Sequence, residues 1–259
     1  MKRKKIVIGN WKMNPLSDEE AKSIFSSINK LLYKLNQTSV VICPPSLFLI
    51  SFKNKLNPLI SLGSQNVFEE NPSLGIGAYT GEISASMLKN SGVKYSIVGH
   101  SERRINGETN EEINKKIKLL LDAKIIPILC IGEKERDTNH DYFNYIKNQI
   151  EKALEKIKKE DIEKIIIAYE PVWAISTTKN KKTANPSDFK EMYIYIKKII
   201  ANKYGTKLKI PQIIYGGSVN SKNAEGFLTE GGADGLLVGK ESLNPRNFSE
   251  IVKIAENIK

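Results

Sequence analysis

The chain has 259 residues, of which 40% are hydrophobic and 27% are charged, with 17 Gly, 10 Pro and 2 Cys. This composition excludes an intrinsically disordered chain, a collagen and a small scaffold held together by disulfides. The 40 Lys and Arg residues outnumber the 29 Asp and Glu residues, and the resulting net charge of +11 makes a polyanionic partner worth testing against the sequence.

Short apolar runs rich in β-branched residues recur along the chain. Most of them are continuous rather than alternating with polar residues, which is typical of parallel strands covered on both faces. They predict strands at residues 5–9, 40–43, 59–64, 95–99, 126–131, 165–169, 212–215 and 235–238. Between them, apolar residues three or four apart predict helices at 18–35, 47–55, 84–90, 111–123, 142–158, 187–203, 223–229 and 249–258.

This regular order of a strand followed by a helix predicts an α/β fold without a linker. A closed (β/α)8 barrel and one long doubly wound sheet both have such an order. No G-x-G-x-x-G motif follows the first strand, where a dinucleotide-binding fold would carry it, and polar residues cluster directly after strands. These two observations favour a single (β/α)8 barrel domain over residues 1–259.

The sequence predicts neither a membrane segment nor a metal site. No window approaches the roughly 18 uninterrupted apolar residues of a spanning helix, and the first apolar run is too short for a signal peptide. We therefore expect a cytoplasmic protein that contacts no membrane. Cys43 and Cys130 are isolated in apolar runs, which predicts no disulfide and no zinc site and favours buried, reduced thiols over a catalytic thiol.

The positive charge is spread over amphipathic segments. In 151–159, for example, lysines alternate with glutamates, and no basic stripe is interleaved with aromatic residues. This pattern favours a solvated basic surface over a nucleic-acid-binding face, so we expect no nucleic-acid partner. A small anionic substrate would still be attracted by the positive field.

Unusual polar residues follow the first and fourth predicted strands. Asn10 and Lys12 lie two residues apart at one mouth of the sheet, although Lys12 alone is equally consistent with a solvated surface lysine. His100 directly follows a buried strand and opens a Ser-Glu-Arg-Arg segment that offers groups to fix its tautomer; the alternative is a structural histidine. The other histidine, His140, lies among Asn, Asp and Thr and is interpreted as a solvated loop residue.

The ends of the last three strands carry a carboxylate and two glycine turns. Glu170 lies before a proline and near Trp173, a setting that favours a general base; the alternative is a salt-bridged carboxylate. The segments 215–218 and 238–240 contain Gly-Gly-Ser and Gly-Lys. Glycine lets backbone N–H groups approach an anion, and the loops after strands 7 and 8 are the usual phosphate site of a (β/α)8 barrel.

The chain resembles the triosephosphate isomerase family over essentially its whole length. The matching segments are Gly-Asn-Trp-Lys-Met-Asn (9–14), Gly-Ala-Tyr-Thr-Gly-Glu (77–82), Val-Gly-His-Ser-Glu-Arg-Arg (98–104), Cys-Ile-Gly-Glu (130–133), Ala-Tyr-Glu-Pro-Val-Trp-Ala-Ile (168–175) and Tyr-Gly-Gly-Ser-Val (215–219). The resemblance implies a cofactor-free and metal-free isomerase of glycolysis and gluconeogenesis that interconverts dihydroxyacetone phosphate and D-glyceraldehyde 3-phosphate through an enediolate. The alternatives are another cofactor-free phosphate-binding barrel isomerase and, outside enzymes, a basic nucleic-acid-binding or scaffold protein.

The resemblance also implies a role for each matching residue. Glu170 would move a proton between neighbouring carbons, and a neutral His100 would donate to the carbonyl and enediolate oxygens. Lys12 and Asn10 would bind the substrate and stabilise the developing oxyanion, and Glu102 would help to position Lys12.

Further implied roles concern the phosphate, the lid and the subunit contact. Backbone N–H groups would hold the phosphate dianion at Ser176, Ser218, Gly239 and Lys240. Thr80 would reach into the site of a second subunit, so the resemblance implies a homodimer. The chain departs from the family in a lengthened lid without glycine at 176–182, in Lys240 at a position where the family usually has glycine, and in a longer loop at 71–76.

Overall fold

The structure is a computed structural model that describes residues 3–53, 57–70, 76–175 and 183–258. Its centre is a closed barrel of parallel strands in which each strand pairs with the next along the chain and the last pairs with the first. This order confirms the predicted (β/α)8 barrel. The strands are β1 (Lys5–Asn10), β2 (Thr38–Cys43), β3 (Ile60–Ser64), β4 (Tyr95–Val98), β5 (Ile126–Ile131), β6 (Ile166–Tyr169), β7 (Gln212–Tyr215) and β8 (Gly235–Val238).

Helices connect successive strands. Those in the described residues are α1 (Asp18–Leu31), α2 (Leu49–Phe52), α3 (Ala85–Asn90), α4 (Ser101–Ile105), α5 (Asn110–Asp122), α6 (Asp141–Ala153), α7 (Lys159–Ile162), α8 (Pro186–Tyr204), α9 (Ala224–Leu228) and α10 (Pro245–Asn257). Short 3₁₀ turns occupy Ser46–Phe48, Val172–Ala174 and Lys240–Leu243.

The predicted helix ends are wrong where apolar spacing continues into a loop or begins after the cap. Helix α1 ends at Leu31 rather than at residue 35, because Leu32 already has an extended backbone. Leu32 and Leu35 are nevertheless buried, so their spacing reports burial and not helix. Helix α10 begins at Pro245, four residues before the predicted start at 249, because the Asn244 side chain accepts the first free N–H groups.

Two apolar layers build the barrel. One layer fills the barrel interior, and the other lies between the strands and the helices. In β1, Ile8 faces the interior whereas Val7 packs in the layer outside. Cys43 and Cys130 belong to the interior layer, and both are free and buried. Burial raises the pKa of both thiols, so neither supplies a thiolate at neutral pH.

The described ranges were compared with the requirements of a membrane-spanning helix and of a metal-ligand cluster. No helix in them is long and apolar enough to cross a membrane. Within the same ranges, no cluster of three or more His, Cys, Asp or Glu side chains is placed to hold a metal ion.

Candidate active site

A cavity of about 430 Å³ opens at the carboxyl end of the barrel. Asn10, Lys12, Gln65, His100 and Glu102 are among the residues that line it. Because the strands are parallel, side chains that follow β1, β3 and β4 meet at this edge. The structure therefore brings together four of the predicted site residues and adds Gln65, to which the sequence analysis assigned no role.

The backbone at Lys12 is held in an uncommon conformation by neighbouring side chains. Lys12 has a φ of +53°, and its N–H donates to Asn10 Oδ1 at 3.0 Å. Its carbonyl accepts from Gln65 Nε2 at 2.8 Å, and the same amide donates to the Cys43 carbonyl at 2.9 Å. Lys12 Nζ contacts the Glu102 carboxylate. These contacts fix both the backbone and the ammonium group of Lys12.

His100 caps helix α4, and this contact determines which ring nitrogen carries a proton. Its Nδ1 accepts from the Glu102 backbone N–H at 3.2 Å. A nitrogen that accepts a hydrogen bond is unprotonated, so we assign the proton of the neutral ring to Nε2. Nε2 lies 3.3 Å from Glu170 Oε1. The arrangement thus presents a neutral N–H donor beside a carboxylate.

The Glu170 carboxylate is buried and is held on both oxygens. Oε1 faces His100, and Oε2 accepts from the Ser101 backbone N–H at 3.1 Å. The Glu170 N–H donates to the Ile131 carbonyl at 2.7 Å. A Cβ atom at Gly132 would lie 1.8 Å from the Glu170 carbonyl oxygen, so only glycine permits this approach. Glu170 lines a second cavity, of about 20 Å³, beside the larger one.

A second carboxylate organises the residues that follow β6. Glu133 is almost fully buried, and its Oε1 accepts from Tyr169 Oη at 2.6 Å and from Trp173 Nε1 at 2.8 Å. Arg136 Nε donates to the same oxygen at 3.2 Å. Burial and the Glu133 charge raise the pKa of Tyr169, which keeps its hydroxyl a donor. Glu133 lies in a segment that carries the resemblance, but no local pattern in the sequence indicates its role.

The predicted phosphate residues lie at the ends of β7 and β8. Ser218 Oγ donates to the Ala174 carbonyl at 3.1 Å. A Cβ atom at Gly239 would lie 3.7 Å from Lys12 Cε, so this turn lies directly beside the site lysine. Lys240 begins the 3₁₀ turn Lys240–Leu243 and is exposed.

Two other predicted residues are not brought into this group. Ser176, with the rest of the segment 176–182, lies outside the described residues. Thr80 is exposed, as are its neighbours Ile76 and Tyr79, whereas residues 71–75 of the preceding loop lie outside the described residues.

Comparisons with known proteins agree with the geometry of the site. Residues 5–255 match the family model for triosephosphate isomerase. The triosephosphate isomerase of Dictyoglomus thermophilum is 45% identical over 258 residues, which are 97% of this chain and 99% of that protein. That of Endomicrobium trichonymphae is 40% identical over 98% of this chain and its own whole length, and that of Alkaliphilus oremlandii is 41% identical over 96% and 99%. The chain therefore belongs to the triosephosphate isomerase family.

Proposed function

We propose that the protein is an aldose–ketose isomerase that interconverts dihydroxyacetone phosphate and D-glyceraldehyde 3-phosphate, with Glu170 and His100 as its acid–base pair. The observation that carries this proposal is the 3.3 Å approach of His100 Nε2 to Glu170 Oε1 beside a cavity that also contains Lys12 and Asn10. Family membership supports the reaction, and the geometry supports the assignment of roles.

The proposed proton transfer gives each member of this pair a role. The Glu170 carboxylate turns from the Ser101 N–H toward the substrate and removes a proton from the carbon next to the carbonyl. His100 gives its Nε2 proton to the carbonyl oxygen, on which negative charge develops as the enediolate forms, and takes the proton of the neighbouring hydroxyl in exchange, so that this hydroxyl becomes the new carbonyl. Glu170 then returns the proton to the neighbouring carbon. No electrons leave the substrate, so the step needs no redox partner.

The other proposed groups bind the oxyanion and the phosphate of the substrate. The Lys12 ammonium and the Asn10 amide stabilise the developing oxyanion, and Glu102 holds Lys12 in place. We assign the phosphate to the backbone N–H groups of Ser218, Gly239 and Lys240, together with that of Ser176, which lies outside the described residues. The net charge of +11 attracts the dianion over longer distances.

We also propose that the protein is a homodimer in which Thr80 contributes to the site of the partner subunit. Several large apolar side chains near the larger cavity are exposed, among them Met13, Leu47, Ile76 and Tyr79. An exposed apolar surface of this kind is typical of a subunit contact. The part of the larger cavity lined by Pro45 and Phe68 would receive the segment 76–80 of the second subunit, and the part lined by Asn10, Lys12 and His100 would remain for the substrate.

Three further assignments complete the proposal. We assign residues 1–259 to one domain, and we place the protein in the cytoplasm, where its two free and buried cysteines remain reduced. We assign it neither nucleic acid nor a membrane as a partner, and neither metal nor organic cofactor.

A coupled assay tests the proposed reaction. Purified protein is given dihydroxyacetone phosphate without added cofactor, and the glyceraldehyde 3-phosphate formed is measured by a dehydrogenase that produces NADH. We expect rapid turnover that survives treatment with a chelator. Turnover of a different phosphorylated aldose or ketose, with none of the triose phosphates, would replace the proposal by another barrel isomerase. Sedimentation that gives a fully active monomer would refute the homodimer.

A further inference from the structure

Both backbone polar groups of Gly99, the residue immediately before His100, are held by ionisable side chains. The Gly99 N–H donates to Glu108 Oε2 at 3.0 Å. The Gly99 carbonyl accepts from Arg104 Nε at 2.7 Å. Since hydrogen bonds to charged groups are stronger than neutral ones, the backbone that carries His100 is fixed from two sides.

The same guanidinium group also holds the neighbouring strand. The ladder between β4 and β5 has its last pair at Val98 and Leu129. One residue further along each strand, the carbonyls of Gly99 and Cys130 both accept from Arg104, the second from Nη2 at 3.1 Å. Arg104 thus continues the connection between the two strands beyond the point where backbone pairing ends.

The Arg104 guanidinium group packs tightly against Gly99 and the Cys130 carbonyl, so its shape matters. Gly99 has a φ of +70°, and a Cβ atom there would lie 3.0 Å from Arg104 Nη2 and 3.1 Å from the Cys130 carbonyl oxygen. The third hydrogen bond of the guanidinium group is donated by Nη1 to Asn110 Oδ1 at 2.7 Å. Asn110 is the first residue of helix α5. A planar fork with donors in three directions satisfies this set, and an ammonium group does not.

Of the two strand ends joined by Arg104, that of β4 carries His100, and that of β5 holds the backbone of Glu170. His100 follows Gly99, whereas Ile131, next to Cys130, accepts the backbone N–H of Glu170. Arg104 and Glu170 both line the cavity of about 20 Å³. Burial lowers the pKa of Arg104, and negative charge on neighbours that include Glu108 and Glu170 opposes this shift.

We propose that Arg104 is a positioning residue for the isomerisation: its guanidinium group joins the ends of β4 and β5 and so sets the distance between His100 and Glu170. The inference rests on the proposed function, because it assigns a purpose to this distance. A displacement of about 1 Å at a reacting group can reduce a rate about a hundredfold.

The test compares Arg104→Ala and Arg104→Lys with wild type in the coupled assay. We expect kcat to fall roughly 10- to 100-fold in Arg104→Ala, with KM for the triose phosphate changed by less than about threefold, since the substrate contacts remain. Tens of millimolar guanidinium chloride should restore part of the lost kcat, whereas tetramethylammonium chloride should not. Arg104→Lys keeps the charge without the fork, so it should also lose kcat.

Matched controls keep the outcomes separate. Arg246→Ala removes an exposed arginine at the start of α10 and should leave kcat unchanged with and without guanidinium. An inactive wild type would refute the proposed function rather than the role of Arg104. With an active wild type, a folded Arg104→Ala that keeps its kcat, or loses it without rescue by guanidinium, would overturn the inference. If Arg104→Ala fails to fold, a wild-type kcat in Arg104→Lys would overturn it.

Discussion

The ends of β4 and β6 and the ends of β7 and β8 are built in different ways, although all four meet at one mouth of the barrel. At β4 and β6 the proposed functional groups are side chains, His100 and Glu170, and each is held by a backbone N–H and by its approach to the other. We call this the acid–base half. At β7 and β8 the proposed groups are backbone N–H groups on glycine turns, which we call the phosphate half.

The two constructions differ in which substitutions should impair function. In the proposed acid–base half a side chain transfers the proton, so its removal should slow the chemical step even where the backbone is unchanged. In the phosphate half the donors belong to the main chain, so loss of a side chain changes only how the turn is held. We therefore expect substitutions in the first half to lower kcat and substitutions in the second to raise KM.

A large effect is expected for His100→Ala. Loss of one positioned proton donor should reduce kcat by a factor on the order of 10²–10⁴. His140→Ala is the matched control, because the only other histidine is exposed and lies far along the chain at the start of α6. Steady-state kinetics of both variants decide the point. A His100→Ala enzyme with wild-type kcat would refute the proposed role of His100 as proton donor.

Gly132→Ala, directly after β5 and beside Glu170, should destabilise the protein while it leaves the side chains of the acid–base half in place. The added Cβ atom would lie 1.8 Å from the Glu170 carbonyl oxygen, so the end of β5 or β6 must move. Overpacking of this kind costs about 1–3 kcal/mol, and kcat should fall as well because Glu170 moves. Chemical denaturation measures the first effect. Gly226→Ala in helix α9 is the control, since its Cβ meets only the Pro186 ring; equal stability of the two variants would contradict the close approach.

A smaller effect is expected for Ser218→Ala in the phosphate half. The variant keeps the backbone N–H but loses the hydroxyl that donates to the Ala174 carbonyl. Loss of one neutral hydrogen bond, about 0.5–1.5 kcal/mol, should raise KM about two- to tenfold with little change in kcat. A loss of kcat comparable to that of His100→Ala would show that the two halves are not distinct.

A position outside both halves should change stability without changing kcat. Lys124, just beyond helix α5, has a φ of +58°, a conformation that glycine adopts without strain. Lys124→Gly should stabilise the protein by up to about 1 kcal/mol, because relief of left-handed strain exceeds the added freedom of the unfolded chain. Lys124→Ala should give no such gain, and kcat should be unchanged in both. Equal stability of Lys124→Gly and Lys124→Ala would refute the backbone strain at this position.

The order of the elements could be predicted from the sequence because it depends on local patterns. Continuous apolar runs such as Ile126–Ile131 and polar residues directly after strands are visible without tertiary contacts. Helix ends were less predictable, because Leu32 and Leu35 are buried by the fold outside any helix. Burial and helical spacing produce the same pattern in a sequence.

Residues that hold the site could not be found in the same way. Gln65 reaches the Lys12 carbonyl across 53 positions of the chain, and Glu133 reaches Trp173 across 40. Arg104 reaches Cys130 across 26 positions. Such contacts depend on the closure of the barrel, and nothing in the local spacing of the sequence reports them.

The most direct test of the central claim, that Glu170 transfers the proton, is deuterium exchange in D₂O followed by proton NMR. Wild type should incorporate deuterium from the solvent at the carbons between which the proton moves, because protonated Glu170 exchanges with water before it returns the proton. Glu170→Gln should keep its affinity for a phosphate-bearing inhibitor such as phosphoglycolate while its exchange rate falls by about 10²–10⁴. Exchange by Glu170→Gln within about tenfold of wild type would contradict the account.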